Sequence, residues 1–228
     1  MDTSTQPLSV ALRTATAAAH ESAERSSFIS ELLEGRACYS AFVALAAQQL
    51  VIYRALEEVL AQHYRGHRLL APVDDRRMDR IAALEHDLRV LVGEDYEVRL
   101  ADGSLPLCPA TVAYAQELRE SHTAEVILAN HYVRYLGDLS GGQIIATLAA
   151  RHYGVPQEGL TFYRFPGIDK LKPYKDQYRA ALDAMEITPD ERERTLVAAG
   201  RAFQHIEAVF AGLGQARAPQ HAAAGVQG

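Results

Sequence analysis

The run Tyr132 to Gln143 carries three glycines, Gly137, Gly141 and Gly142, within six residues of an otherwise helical pattern. Each glycine inside a helix costs about 1 kcal/mol relative to alanine, so the segment gives up stability that something must offset. Gly137 and Gly141 stand four apart and share one helix face, a strip of bare backbone that a flat molecule can approach closely. Glycines also permit the helix to kink over such a molecule. Small residues at this spacing serve tight packing between two helices equally well. Their polar company weighs toward a ligand: Asp138 and Ser140 sit inside the same stretch and Arg134 one turn earlier. Polar groups beside bare backbone suit a hydrogen-bonded site that holds water.

A second candidate is His20, followed by Glu24 on the same face of an alanine-rich stretch. At that spacing the carboxylate can orient the imidazole and hold its tautomer, the usual support of a metal-binding histidine. Ala17, Ala18, Ala19 and Ala23 leave room beside the ring. On spacing alone the pair reads as readily as a solvent-exposed contact. The remaining histidines are scattered, with no HExxH or paired-ligand spacing, so a zinc or di-iron site is disfavoured. A third cluster gathers Arg164, Lys170, Lys172, Lys175 and Arg179 against Asp169 and Asp176. Lys175 and Arg179, one helical turn apart, suit a grip on paired carboxylates, and a solvated helix face would look the same.

The elements that must position these residues are helices. Apolar residues recur at helical spacing in nearly every segment and no strict alternation persists, which predicts an all-α fold. Helices are expected over Leu8 to Arg25, Phe28 to Glu34 with Gly35 as its stop, Tyr39 to His63, Met78 to Val92 closed by Gly93, and Pro109 to about Glu120. Thr123 to Tyr153 reads as one helix interrupted by the glycines. The last begins at a capping box, Thr188 with Glu191, and Pro189 at its first position. Its core face carries Leu196, Phe203, Ile206 and Phe210. One domain is expected over residues 1–213, with a frayed tail over 214–228.

With 228 residues, 48% apolar and 23% charged, the chain is long enough for a full core and is not disordered in general. A formal charge of −6 lacks the basic excess that nucleic-acid binding needs. Cys38 and Cys108 match no metal or redox spacing and are expected as buried free thiols. With no signal-like leader, no membrane-spanning run and no disulfide framework, a cytoplasmic location is expected.

Tyr132-Val-Arg-Tyr-Leu-Gly-Asp-Leu-Ser-Gly-Gly-Gln143 closely resembles the distal-helix signature of haem oxygenases, and Leu12-Arg-Thr-Ala-Thr-Ala-Ala-Ala-His20-Glu-Ser-Ala-Glu24 resembles their proximal helix. Tyr53-Arg-Ala-Leu-Glu-Glu58, Pro166-Gly-Ile168 and Tyr174-Lys-Asp-Gln-Tyr-Arg179 fall where related segments occur. The resemblance implies an all-α, single-domain multi-helix fold with haem between a proximal helix and a kinked distal one. It implies His20 as the axial iron ligand, Glu24 as its hydrogen-bond partner, and Gly137 and Gly141 as backbone contacts over the haem face. It makes Asp138 the organiser of distal water with Arg134 and Tyr53 in the same network, and directs Arg13, Tyr132, Lys175 and Arg179 to the haem propionates. Arg13 stands where many members have lysine.

The implied function is haem oxygenase activity. Haem (iron protoporphyrin) is both substrate and cofactor, and is cleaved with O₂ and an external electron donor to biliverdin, CO and ferrous iron. Ferredoxin or a flavoprotein reductase is the implied donor. Membrane-bound members end in an apolar anchor, which residues 215–228 lack, so the soluble bacterial type is expected. A haem carrier is the alternative. Asp138 and Ser140 within the glycine kink speak against it, because a carrier gains nothing from a proton path.

Overall fold

The computed structural model describes residues 6–120 and 122–223, with side chains through residue 216, and among them every regular element is a helix. The chain opens with α1 (Leu8–Glu24) and the short α2 (Ser27–Leu33). Gly35, at φ 75°, turns the chain out of α2. Next, α3 (Tyr39–Val59) is buried on several faces from Ala41 onward, so it runs through the core rather than along its surface. The helix expected to reach His63 changes to a π turn over Leu60–Tyr64.

A separate 3₁₀ turn, Arg76–Met78, precedes α4 (Ile81–Val92), so the start expected at Met78 comes later. Its cause is local: the Asp75 carboxylate accepts the Arg77 N–H at 3.0 Å and begins a turn of its own. Two elements, α5 (Tyr96–Ala101) and a 3₁₀ stretch over Gln157–Tyr163, are too short to show a helical period in sequence. Pro109 begins α6 (Pro109–Glu120) as expected. The interrupted helix resolves into α7 (Ala124–Asp138) and α8 (Gly142–Tyr153). The fold closes with α9 (Leu171–Asp183) and α10 (Pro189–Ala223).

The capping box of α10 forms in both directions: Glu191 N–H donates to Thr188 Oγ1 at 3.3 Å and Thr188 N–H to Glu191 Oε2 at 2.9 Å. The helix continues past Leu213 to Ala223, and residues 224–228 of the expected tail lie outside the described residues. Cys108 is buried as expected, whereas Cys38 is exposed because it sits at the N-cap of α3, outside the core. Among the described residues no helix is long and apolar enough to cross a membrane.

Packing centres on two helices. α10 lies along α7 and α1, while α3 packs on α6 and α4. α9 docks on α1 through Asp183, whose carboxylate accepts Ser9 N–H at 2.7 Å and Ser9 O–H at 2.9 Å. Set against the first turn of α1, the Asp183 carboxylate also meets the favourable end of that helix's dipole. Arg80, 2% exposed, donates to the carbonyls of Arg77, Met78, Phe162 and Arg164. Asp87 accepts the N–H groups of Thr161 and Phe162, each at 2.8 Å. Together they fix the segment that carries Tyr163 beneath the α7–α8 kink.

Glu57 is buried on α3, and its Oε1 accepts Arg80 N–H at 2.5 Å and Tyr135 O–H at 3.0 Å. Burial pushes its carboxyl up to about 7, with the two hydrogen bonds acting against the rise. Below about pH 4.5 the group is protonated both folded and unfolded. Between there and about 7 only the unfolded chain ionises, so stability falls as pH rises through that window. Glu57→Gln is therefore expected to match the parent at pH 4 and to exceed it above pH 7 by about 2–3 kcal/mol in urea unfolding. Equal differences at both pH values would refute this account.

Candidate functional site

Between α7 and α8 the backbone stays right-handed and hydrogen-bonded, with Ser140 N–H and Gly141 N–H both donating to the Gly137 carbonyl, at 3.1 and 2.8 Å. The three glycines divide by role. A β-carbon on Gly142 would stand 3.0 Å from the Tyr163 ring, so this glycine serves packing. Gly137 is exposed and a β-carbon there would meet nothing within 4 Å; on Gly141 it would meet the Gly137 carbonyl at 3.7 Å, an ordinary contact. Helix packing thus accounts for one of the three. The other two bare their backbone to open space.

Beneath the kink lies a polar network contributed by α3 and α7. The fully buried Tyr53 donates its hydroxyl to Asp138 Oδ2. Arg134, 6% exposed, lies with its guanidinium carbon 4.9 Å from the Tyr53 ring centre and donates to Gln49 Oε1. Burial pushes the Asp138 carboxyl above the usual carboxylate range, with the Arg134 charge acting against it. It also pushes the Tyr53 phenol well up, helped by the Asp138 charge. Arg134 Nε is buried without a protein partner, beside a small cavity lined by Gln48, Gln49, Ile52 and Phe210. A buried donor of this kind is where ordered water belongs.

On α1 the His20 side chain is 55% exposed, and its Nδ1 lies 3.4 Å from Glu24 Oε2. With Nδ1–H turned to the carboxylate, the lone pair of Nε2 is the one available to a metal. The Phe203 ring from α10 meets the imidazole in an edge arrangement, centroids 5.8 Å apart at 66°. One turn earlier on α1, Thr16 meets the Tyr132 phenol, which Arg13 and Arg179 reach electrostatically. Lys175 Nζ donates to Ser140 Oγ at 3.2 Å, joining α9 to the kink.

The structure therefore gathers Arg13, Tyr132 and Arg179 at the α1–α9 edge, ties Lys175 to the kink, and joins Tyr53, Arg134 and Asp138 in one network. The five-cation cluster does not stay whole: Arg164 turns to Gln157 Oε1 at 2.6 Å, and Arg179 also pairs with Asp176 at 3.0 Å. Two contributors were missed by sequence reasoning. Phe203 lies on the stripe expected to face the core and Gln49 inside the helix expected over Tyr39 to His63, and nothing in their spacing marks them as neighbours of His20 and Arg134.

The family profile described as "Heme oxygenase" matches residues 6–212. Haem oxygenase 1 of Rattus norvegicus is 35% identical over 209 residues, covering 89% of this chain and 70% of its own. Haem oxygenase 1 of Nostoc is 33% identical over 195 residues, covering 84% and 79%. Among solved structures, haem oxygenase-1 of Synechocystis in complex with haem superposes at a TM-score of 0.85 with 28% identity, covering 96% of this chain and 99% of that one. The enzyme of Leptospira interrogans superposes at 0.81 with 30% identity, covering 90% and 98%. A helical fold with a bare-backbone kink over a buried acid network, joined to relatives of this similarity, makes the chain a member of the haem oxygenase family, an enzyme that degrades haem.

Proposed function

We propose that haem lies between α1 and the α7–α8 kink, with His20 Nε2 as iron ligand and Glu24 holding the ring. When bound, haem supplies the redox chemistry and is itself the molecule broken down. The residues present fit it: Gly137 and Gly141 offer backbone where no β-carbon intervenes, and the exposed imidazole has its Nδ1 3.4 Å from the Glu24 carboxylate, close enough for that group to orient the ring. Arg13, Tyr132, Lys175 and Arg179 would hold the propionates. Asp138, steadied by Tyr53 and Arg134, holds a water on the open side of the kink and moves a proton through it. O₂ and electrons from a ferredoxin or a flavoprotein reductase then carry cleavage to biliverdin, CO and ferrous iron, in the cytoplasm.

The observation that carries this reading is the pair of glycines left open to solvent beside the half-buried Asp138 carboxyl. Adding haemin and a reductant in air tests it: conversion of the haem absorbance to that of a bile pigment is expected, and stable binding without conversion would make the chain a carrier. A second test uses the open position itself. Gly137→Ala is expected to stabilise the haem-free protein by up to about 1 kcal/mol, through helix propensity, while weakening haem binding measurably in a haemin titration. Unchanged haem affinity would place the ligand elsewhere.

A further inference from the structure

Arg134 and Asp138 stand one turn apart on α7, the spacing at which opposite charges on a helix close into an ion pair. Arg134 is buried and Asp138 half-buried, conditions under which a guanidinium gains most from a carboxylate partner. Yet among the described residues no ion pair joins them. The guanidinium instead donates to the side-chain amide of Gln49 on α3, and the carboxylate takes the Tyr53 hydroxyl.

The surroundings show why the guanidinium goes to Gln49. The small cavity beside it is otherwise lined by Leu45, Ile52, Val209 and Phe210, which offer no side-chain acceptor. Gln48, the neighbouring amide, is already committed: its Nε2 donates to the carbonyls of Ala44 and Pro106, and its Oε1 accepts Cys108 N–H at 2.9 Å. Tyr53, also on α3, lies against the guanidinium with its ring, and Gln49 is the side-chain carbonyl that draws the cation toward α3.

We infer that Gln49 is a positioning residue whose side-chain carbonyl holds the Arg134 guanidinium off Asp138, leaving the Asp138 carboxyl free to hold water above the kink. Closed into an ion pair, the carboxylate would be kept as an anion with its oxygens occupied, and would serve poorly as a proton carrier. Held at a distance, Arg134 contributes its field and not a hydrogen bond. This inference rests on the reading of Asp138 as the water-holding acid.

The groups that act on Asp138 are Tyr53 from α3, Arg134 from its own helix and Arg80 from the segment before α4, while Tyr163 feels its charge from below the kink. Gln49 touches it only through Arg134, so its replacement isolates that geometry. The test is carbon-13 NMR of the Asp138 carboxyl during a pH titration of the haem-free protein, the signal assigned by its loss in Asp138→Asn. Gln49→Met keeps the shape and removes the acceptor. It is expected to lower the Asp138 midpoint by at least one pH unit, a tenfold or larger rise in the acid dissociation constant. Gln49→Glu, which keeps an acceptor oxygen, is expected to leave the midpoint at or above that of the parent. Should Gln49→Met fail to fold, Gln49→Leu takes its place. A midpoint that stays or rises in the apolar variant, or falls equally in Gln49→Glu, overturns the inference. Because no haem is present, such a failure is separate from any failure of pigment formation.

Discussion

Exchanging His20 for alanine is expected to abolish the nitrogen-ligated iron spectrum of the haem-loaded protein and to reduce bile-pigment formation by more than about 100-fold. The size follows from the arrangement on α1. Removing a residue that only orients a metal-binding histidine typically costs about 10–100-fold, and Glu24, 3.4 Å from Nδ1, is the residue we propose for that part. Loss of the ligand itself must exceed that. The imidazole is 55% exposed and meets the core only at the edge of the Phe203 ring, so the variant should unfold within a few degrees of the parent. Haem should still associate weakly, because the proposed propionate contacts of Arg13, Tyr132, Lys175 and Arg179 do not involve the imidazole. An unchanged spectrum would move the ligand to another residue and undo the assignment of α1 as the proximal helix.

Asp138→Ala should bind haem with little change and yet form bile pigment about 10²–10⁴-fold more slowly, the range lost when a positioned proton carrier is removed. Binding survives because the open backbone of Gly137 and Gly141 and the propionate contacts are untouched. Proton delivery fails because the Tyr53 hydroxyl, which donates to Asp138 in the parent, is pushed up by burial and gives up its proton far less readily than a carboxyl. Haem bound and reduced in air would then be consumed without the normal pigment. Undiminished pigment yield would show that the proton takes another route, and the Tyr53–Asp138–Arg134 network would be structural only.

Several features were legible in the sequence because they depend on residues no more than a few positions apart. The capping box of Thr188 and Glu191, the glycine stop at Gly93, the His20–Glu24 contact and the kink at Gly137–Gly142 all close within one or two helical turns. The roles proposed for Tyr53, Lys175 and Arg179 came from resemblance to a family, since no spacing rule links them to the kink. Boundaries failed where a local hydrogen bond competed with the helix, as Asp75 does ahead of α4. Elements failed where too few turns existed to show a period, as in α5 and the stretch before Tyr163.

What the sequence determined by itself is that the chain is all-helical, that one helix breaks at a glycine run with an acid inside it, and that a histidine and a glutamate share a face on another. Periodicity and short-range hydrogen bonds carry that information, and both are written in neighbouring residues. Tertiary structure alone decided which glycines are packed and which are open, because that turns on Tyr163, brought beneath the kink by Arg80 and Asp87. It also decided where the Arg134 charge points. Gln49 lies 85 residues away in the chain, and only the packing of α3 on α7 sets its oxygen beside the guanidinium instead of leaving that cation to the carboxylate one turn along its own helix.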